Sequence, residues 1–378
     1  MKLKRLFAAV LAAALFLPLA AACSAGSQKK GLGNGWEPQS SMELAYAKNF
    51  SVDYYDGGYK LLSLSDGTRC LTVPEGKEAP DGIDADIMVL KQPVNDIYLC
   101  ATSAMCLFDA LDALDSISLS GSKSDDWYID GARKAMESGK MTYAGKYSEP
   151  DYELILSSGC RLAVESTMID HSPEVKEKLE ELGIPVITEQ SSGEEHPLGR
   201  TEWIKFYGAL LDKEDEAEKL FSEQAAFLDK AASFEDTGKT VAFFYINSSG
   251  YAIARRSGDY VTKMIELAGG EYIFKNLGDP EKSTSTVPLE MEEFYSTAKD
   301  ADYIIYNSAI DGNVATLDEL IAKNNLLGDF KAVKEGNVWC TSQNMFQQSM
   351  QIGRMILDIH GMLTGEDASS IEFLYKLE

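Results

Sequence analysis

A strand-then-helix alternation, written twice on either side of one long helical stretch, constrains this chain more than any other feature. The strand Ile-Tyr-Leu-Cys-Ala at 97–101 is followed by Thr102 and Ser103. A helix pattern over 104–114 comes next, with Met105, Leu107, Phe108, Leu111 and Leu114 at helical spacing. The alternation continues through a short helix at 152–156, a strand at 161–164, a helix at 173–182 and a strand at 184–187. A second series opens with the strand at 240–245 and passes a helix at 259–268 closed by Gly269 and Gly270. It then reaches strands at 303–306 and 337–339. Strands alternating with helices predict parallel βαβ units, so the fold class is α/β with two lobes in sequence.

Between the lobes, 201–234 is helical almost throughout. The charged break Asp212-Lys-Glu-Asp-Glu divides a helix of the first lobe from a connecting helix of about 20 residues, roughly 30 Å long. A rigid helical connector predicts small inter-lobe motions. Ahead of the first lobe, 59–73 carries two apolar runs around Asp66-Gly67 and reads as a hairpin. The division that follows is a signal segment 1–22, a tether 23–50, a first lobe 51–212, a connector 213–235 and a second lobe 236–378.

The first residues place Lys2, Lys4 and Arg5 before an apolar run at 6–17 and small residues up to Cys23. This is the pattern of a secretory signal, and the run is too short to span a bilayer, which takes about 20 residues. Small residues immediately before a cysteine resemble a bacterial lipobox, which implies acylation of Cys23; Ala20 stands where that pattern prefers Leu. The alternative is a plain signal peptide cut near Ala22. The polar stretch 24–41 then reads as a flexible tether. Loss of the three signal cations takes the net charge from −25 to −28, which excludes nucleic acid as a partner and disfavours a basic patch on anionic lipid. Five further cysteines, Cys70, Cys100, Cys106, Cys160 and Cys340, have no regular spacing and indicate no disulfide framework. Three histidines supply a zinc site poorly.

Two α/β lobes joined by one long helix behind a lipoprotein signal resemble the periplasmic binding proteins that serve siderophore, haem and vitamin B12 importers. The likeness runs over 50–375 and includes Ile265-Glu-Leu-Ala-Gly-Gly-Glu-Tyr-Ile-Phe, which is similar to a helix end and turn of that family. It implies two Rossmann-like lobes of the class III type. It also implies an exported monomer that carries an iron or cobalt complex, has no cofactor of its own, and works with an ABC permease dimer and its ATPase. Glu153 and Glu293 lie on short helices, nine and ten residues before strands of their lobes. In the family, equivalent glutamates meet arginines of the two transporter subunits, a contact suited to bidentate pairing. The alternative is two ordinary solvated acids. The segments 118–147 and 196–203 find no counterpart; Trp203 reads as core and Arg200 as a helix-start partner.

Ligands of paired α/β lobes sit at the carboxyl ends of strands. That rule nominates Thr102, Ser103, Lys146, Tyr147, Ser166, Thr167 and Met168 from the first lobe. From the second it nominates Tyr245, Asn247, Tyr251, Arg255, Arg256, Ser308 and the loop 341–348, including Ser342, Met345 and Phe346. Trp127 and Trp339 are outer candidates. Arg255 and Arg256 stand just before a helix start, where cations forgo the dipole benefit open to an anion. They pair either with an anionic siderophore, a haem propionate or a corrin side group, or with acids of the protein itself. Met168 with His171, and Met345, are soft axial ligands or simple packing. No nucleophile elbow, P-loop, HExxH motif or dinucleotide fingerprint is present. An enzyme built on two cleft carboxylates, or a surface sensor or adhesin with the same fold, are the opposed readings; a sensor has no need of paired docking acids.

Overall fold

Five strands come first: β1 (Ser40–Ser41), β2 (Phe50–Tyr54), β3 (Lys60–Leu64), β4 (Arg69–Val73) and β5 (Ile87–Lys91). They pair in that order, antiparallel up to β4 and parallel between β4 and β5. The Asp66-Gly67 turn closes β3 on β4 as the sequence predicts, with Gly67 at φ 92° and the Asp66 carboxylate accepting from Thr68 N at 2.8 Å. The computed structural model of the chain describes residues 31–33, 35–278 and 285–378; the signal segment, Cys23 and the start of the tether lie outside the described residues.

Lobe 1 is a parallel sheet in the order β12-β11-β6-β7-β8. Its first strands are β6 (Ile97–Leu99), β7 (Ile117–Ser120) and the two-residue edge strand β8 (Thr142–Tyr143). A small ladder of β9 (Gly145–Lys146) and β10 (Glu149–Pro150) follows, and then β11 (Leu162–Ser166) and β12 (Val186–Glu189). Helices α1 (Thr102–Ala110), α2 (Asp130–Glu137), α3 (Tyr152–Ser157) and α4 (Pro173–Glu181) connect them. Helix α1 stops at Ala110, four residues short of the predicted end, because Asp112 turns left-handed at φ 49° and Ala113 N bonds back to Phe108 O. The unplaced 118–147 segment is a crossover that leaves β7, runs through α2 and adds β8 at the sheet edge.

Helix α5 (Pro197–Leu211) is buried from Pro197 to Leu210, with β2 and β3 on one side and α1 and α6 (Glu214–Ala231) on others. Thr201, Glu202 and Lys205 find partners there, whereas the buried Tyr207 hydroxyl has no hydrogen-bond partner. The Glu202 carboxylate accepts from Ala45, Tyr46 and Ala47 N at 2.8 Å each. Glu194, just ahead of the helix, accepts from Lys48 N, Asn49 N and Trp203 Nε1. The five backbone donors of residues 45–49 strap the segment before β2 onto lobe 1. Phe50 of β2 packs 5.0 Å from Trp203 and 5.6 Å from Phe206, so the N-terminal sheet and lobe 1 share one core. Buried Lys60 on β3 reaches Asp212 at 2.8 Å and Glu214, bracing the left-handed break (Asp212 φ 63°) where α5 gives way to α6.

The 18 residues of α6, about 27 Å long, lead into lobe 2. Its mixed sheet has the order β16-β14-β13-β17-β18-β19, with β15 on β13. The strands are β13 (Lys239–Ile246), β14 (Ala252–Arg255), β15 (Gly270–Tyr272), β16 (Thr286–Leu289), β17 (Tyr303–Tyr306), β18 (Val338–Thr341) and β19 (Leu374–Lys376). Six helices accompany them: α7 (Tyr260–Leu267), α8 (Met291–Ala298), α9 (Ser308–Asp311), α10 (Leu317–Lys323), α11 (Lys331–Lys334) and α12 (Ile352–Thr364). Asp259 caps α7 through Val261 N. Helix α12 returns to the connector so closely that a Cβ on Gly353 would fall 2.6 Å from Phe227 Cβ. Arg200 of α5 lies 4.2 Å over the Tyr260 ring of α7, a contact between the lobes at the connector side.

Candidate ligand cleft

The carboxyl ends of β6, β7, β11 and β12 face one side of lobe 1, because these strands are all parallel. In lobe 2, β13, β17 and β18 likewise run together, and their carboxyl ends open the loops after Ile246, Tyr306 and Thr341. The lobes meet across these loops. Gln347, after β18, accepts from Tyr128 N at 2.9 Å and donates to Asp126 O at 2.8 Å. Ser349 Oγ donates to Ser103 O at 3.5 Å, and Thr201 Oγ1 donates to Ser349 O at 2.8 Å. Met350 enters the lobe 1 core. Each lobe therefore contributes loops to one cleft.

Several nominated residues are open to that cleft. Thr102 is exposed at the start of α1, and Met168 is 46% exposed on the turn Thr167–His171 after β11. Ser166 caps that turn through Met168 N, and Thr167 lies 3.4 Å from Ser192. Lys146 is exposed but bridged to Glu149 at 3.3 Å. Tyr147 packs half-buried on the small cluster behind β11. Tyr251 hydrogen-bonds Glu290, which raises its hydroxyl pKa, and Asn247 Oδ1 closes its turn by accepting from Ser249 and Tyr251 N.

Other nominated side chains are turned inward. Ser308 is fully buried, its hydroxyl donating to Thr341 O and accepting from Tyr375 at 3.3 Å, so it holds the loop and does not line the opening. Ser342 bonds Glu372 O, and Met345 lies inside the lobe 2 core. Tyr245 and Phe346 pack partly buried against the same core. Arg255 is only 8% exposed: it lies 3.6 Å from Asp259, 5.2 Å over the Phe346 ring and 5.8 Å over that of Phe243. Trp127, whose Nε1 donates to Ser120 Oγ, and Trp339 are core. His171 is exposed. Among the described residues no group of three or more His, Cys, Asp or Glu is gathered to hold a metal ion.

Sequence reasoning missed the loop after β12. Glu189, 1% exposed, accepts from Ser103 Oγ at 2.9 Å and Ser191 N at 3.0 Å, fixing the floor under α1. Glu195 and Arg256 line a cavity of about 260 Å³ together with Ser257, Asn276 and Leu277. Its position at a strand's carboxyl end was the available signal. Behind the floor, Glu165 on β11 is fully buried with neither carboxylate oxygen hydrogen-bonded. Burial raises its pKa to about 7, against the lowering effect of the neighbouring Cys100 thiol.

The two nominated docking acids occupy matching places. Glu153 lies in the first turn of α3, which begins beside the carboxyl end of β8, where Asp151 N bonds Ala144 O. Glu293 lies in the first turn of α8. That helix follows β16, which is antiparallel to β14 and so runs with β13; its start is therefore on the cleft side of lobe 2. Both side chains are exposed and neither forms an ion pair.

A family model described as periplasmic binding protein matches residues 109–344, more than half of the chain. The chain belongs to the periplasmic binding protein family. The match leaves the N-terminal sheet outside it. An uncharacterized lipoprotein of Methanocaldococcus jannaschii is 26% identical over 350 residues, spanning 85% of this chain and 82% of the relative. Among solved structures, the periplasmic haem-binding protein HutB of Vibrio cholerae has a TM-score of 0.55 at 17% identity, covering 69% of this chain and 96% of its own. The petrobactin-binding protein YclQ of Bacillus subtilis has 0.54 at 16%, covering 72% and 93%. The shared fold is that of two-lobed solute-binding proteins of this periplasmic binding protein type.

Proposed function

We propose that this protein is the substrate-binding subunit of an ABC importer, exported and held at the outer face of the cytoplasmic membrane by a lipid on Cys23. It captures a metal complex, either an iron complex with siderophore or haem or a corrinoid, between its lobes and delivers it to the permease. The observation that carries this reading is the pair of exposed, unpartnered carboxylates of Glu153 and Glu293, one per lobe on the cleft side. A carboxylate at a helix start is favoured by the dipole and presents two acceptors to an arginine fork. A sensor with the same fold has no use for such symmetry.

The test is the double variant Glu153→Ala/Glu293→Ala in a host that depends on this chain for uptake. Cargo affinity should be unchanged and uptake reduced by at least about tenfold, in line with loss of charged contacts across an interface. Full uptake by the double variant refutes the docking assignment.

A further inference from the structure

We infer that the cargo of this cleft is bulky, neutral or cationic, and apolar over much of its periphery; the inference rests on the importer reading above. Three observations at the cleft carry it.

The first concerns cations. Arg255, the obvious partner for an anionic cargo, is enclosed by Asp259, Phe243 and Phe346. Arg256 already has an intramolecular partner, and Lys146 is bridged to Glu149. Lys123, at the carboxyl end of β7, lies 5.8 Å over the Tyr143 ring. Among the described residues, the strand-end loops therefore gather no set of cations that converges on a carboxylate or catecholate oxygen.

The second concerns acids. Asp125, Asp126, Asp170 and Glu195 are exposed on those same loops, and none forms an ion pair. They sum to a local negative field that repels an anion approaching these loops.

The third concerns apolar surface. Tyr128, Met168 and Ile310 are 42%, 46% and 54% exposed, and each lies in a segment that follows the carboxyl end of a strand: the loop after β7, the turn after β11 and the short helix α9 after β17. Single exposed apolar residues are ordinary, but these three follow strand ends of both lobes, on the side where the two sets of strand-end loops face each other. A cargo with hydrocarbon at its edge covers them.

The full-length chain is titrated by intrinsic fluorescence with four probes: cyanocobalamin, which is neutral; a monocationic ferric trihydroxamate; haemin, with its two propionates; and a trianionic ferric tris-catecholate. One of the first two should bind at least about tenfold tighter than either anion. Met168→Ser with Ile310→Ser should weaken that probe about threefold to tenfold without changing the melting temperature, as half-buried side chains lose part of their transfer energy. Asp170→Lys with Glu195→Lys should move the ratio towards the anions. Equal or tighter binding of an anion by the wild type overturns the charge inference and leaves the importer reading standing. Binding of none of the four overturns the metal-complex reading and this inference with it.

Discussion

Gln347 of lobe 2 and Tyr128 of lobe 1 are joined side chain to backbone: the Gln347 amide oxygen accepts from Tyr128 N at 2.9 Å while its nitrogen donates to Asp126 O at 2.8 Å. Both polar ends of one side chain are thus used to hold the 124–128 turn of the opposite lobe. Gln347→Ala removes two hydrogen bonds, about 1–2 kcal/mol in total, from the junction and none from either lobe's core. Hydrogen exchange at the Tyr128 amide should accelerate several-fold while amides of β11 keep their protection. Unchanged exchange at Tyr128 means the contact does not hold the lobes in solution.

The strap before β2 depends on Glu202. Three N–H groups converge on its buried carboxylate, and charge-assisted bonds of this kind contribute about 1.5–3 kcal/mol each before desolvation is offset. Glu202→Gln keeps one acceptor and turns an amide nitrogen towards backbone donors. A loss of about 2–4 kcal/mol is expected by denaturant melts, with proteolysis ahead of β2 appearing at lower denaturant than in the wild type.

Arg255→Gln separates two roles for that residue. Its guanidinium is buried between two aromatic rings beside Asp259, so the substitution leaves Asp259 without its cation inside the lobe. The melting temperature of the cargo-free protein should fall, by a loss of about 1–3 kcal/mol, and affinity for the best probe should stay within about twofold. A tenfold loss of affinity with an unchanged melt would instead put Arg255 on the cargo.

Glu165 makes stability depend on pH. In the fold its carboxyl is neutral up to about 7, while in the unfolded chain it ionises near the ordinary 4.5, so between those values the native state holds a proton that the unfolded state has released. Stability from this group is present below the lower value and is lost as pH rises through the upper one, by about 3 kcal/mol. Glu165→Gln should flatten that part of the stability profile between pH 5 and 8. An identical slope in the variant assigns it to other groups.

Much of this architecture was readable because it rests on local rules. The alternation of periods gave three strands of each sheet, β6, β11 and β12 in lobe 1 and β13, β17 and β18 in lobe 2, the Asp66-Gly67 pair gave the hairpin, and the charged break at Asp212 gave the division between α5 and α6, which the structure places at a left-handed residue. Glu153 and Glu293 fell on short helices for the same reason. The rest depends on which distant segments meet. Nothing local to Glu202 or Lys205 says that α5 is buried on every side, since polar residues on a helix ordinarily mark its wet face. The strand pattern of Phe50–Tyr54 was short, and its partner α5 lies some 150 residues away, so the N-terminal sheet went unassembled. The place of Arg255 at a helix start points to the cleft; only the packing of Phe346 from 91 residues later encloses it.

The central claim is that the two lobes present Glu153 and Glu293 to a transporter. The measurement that bears on it most directly is the ATPase rate of the cognate importer reconstituted in lipid vesicles, with this protein added in its wild-type form and as Glu153→Lys/Glu293→Lys. Reversing both charges replaces attraction to arginines with repulsion at each subunit, a change of several kcal/mol across the interface. The account predicts that wild-type protein stimulates hydrolysis and the double variant does not, although both melt at the same temperature and bind the same probe. Equal stimulation by the two proteins would contradict it.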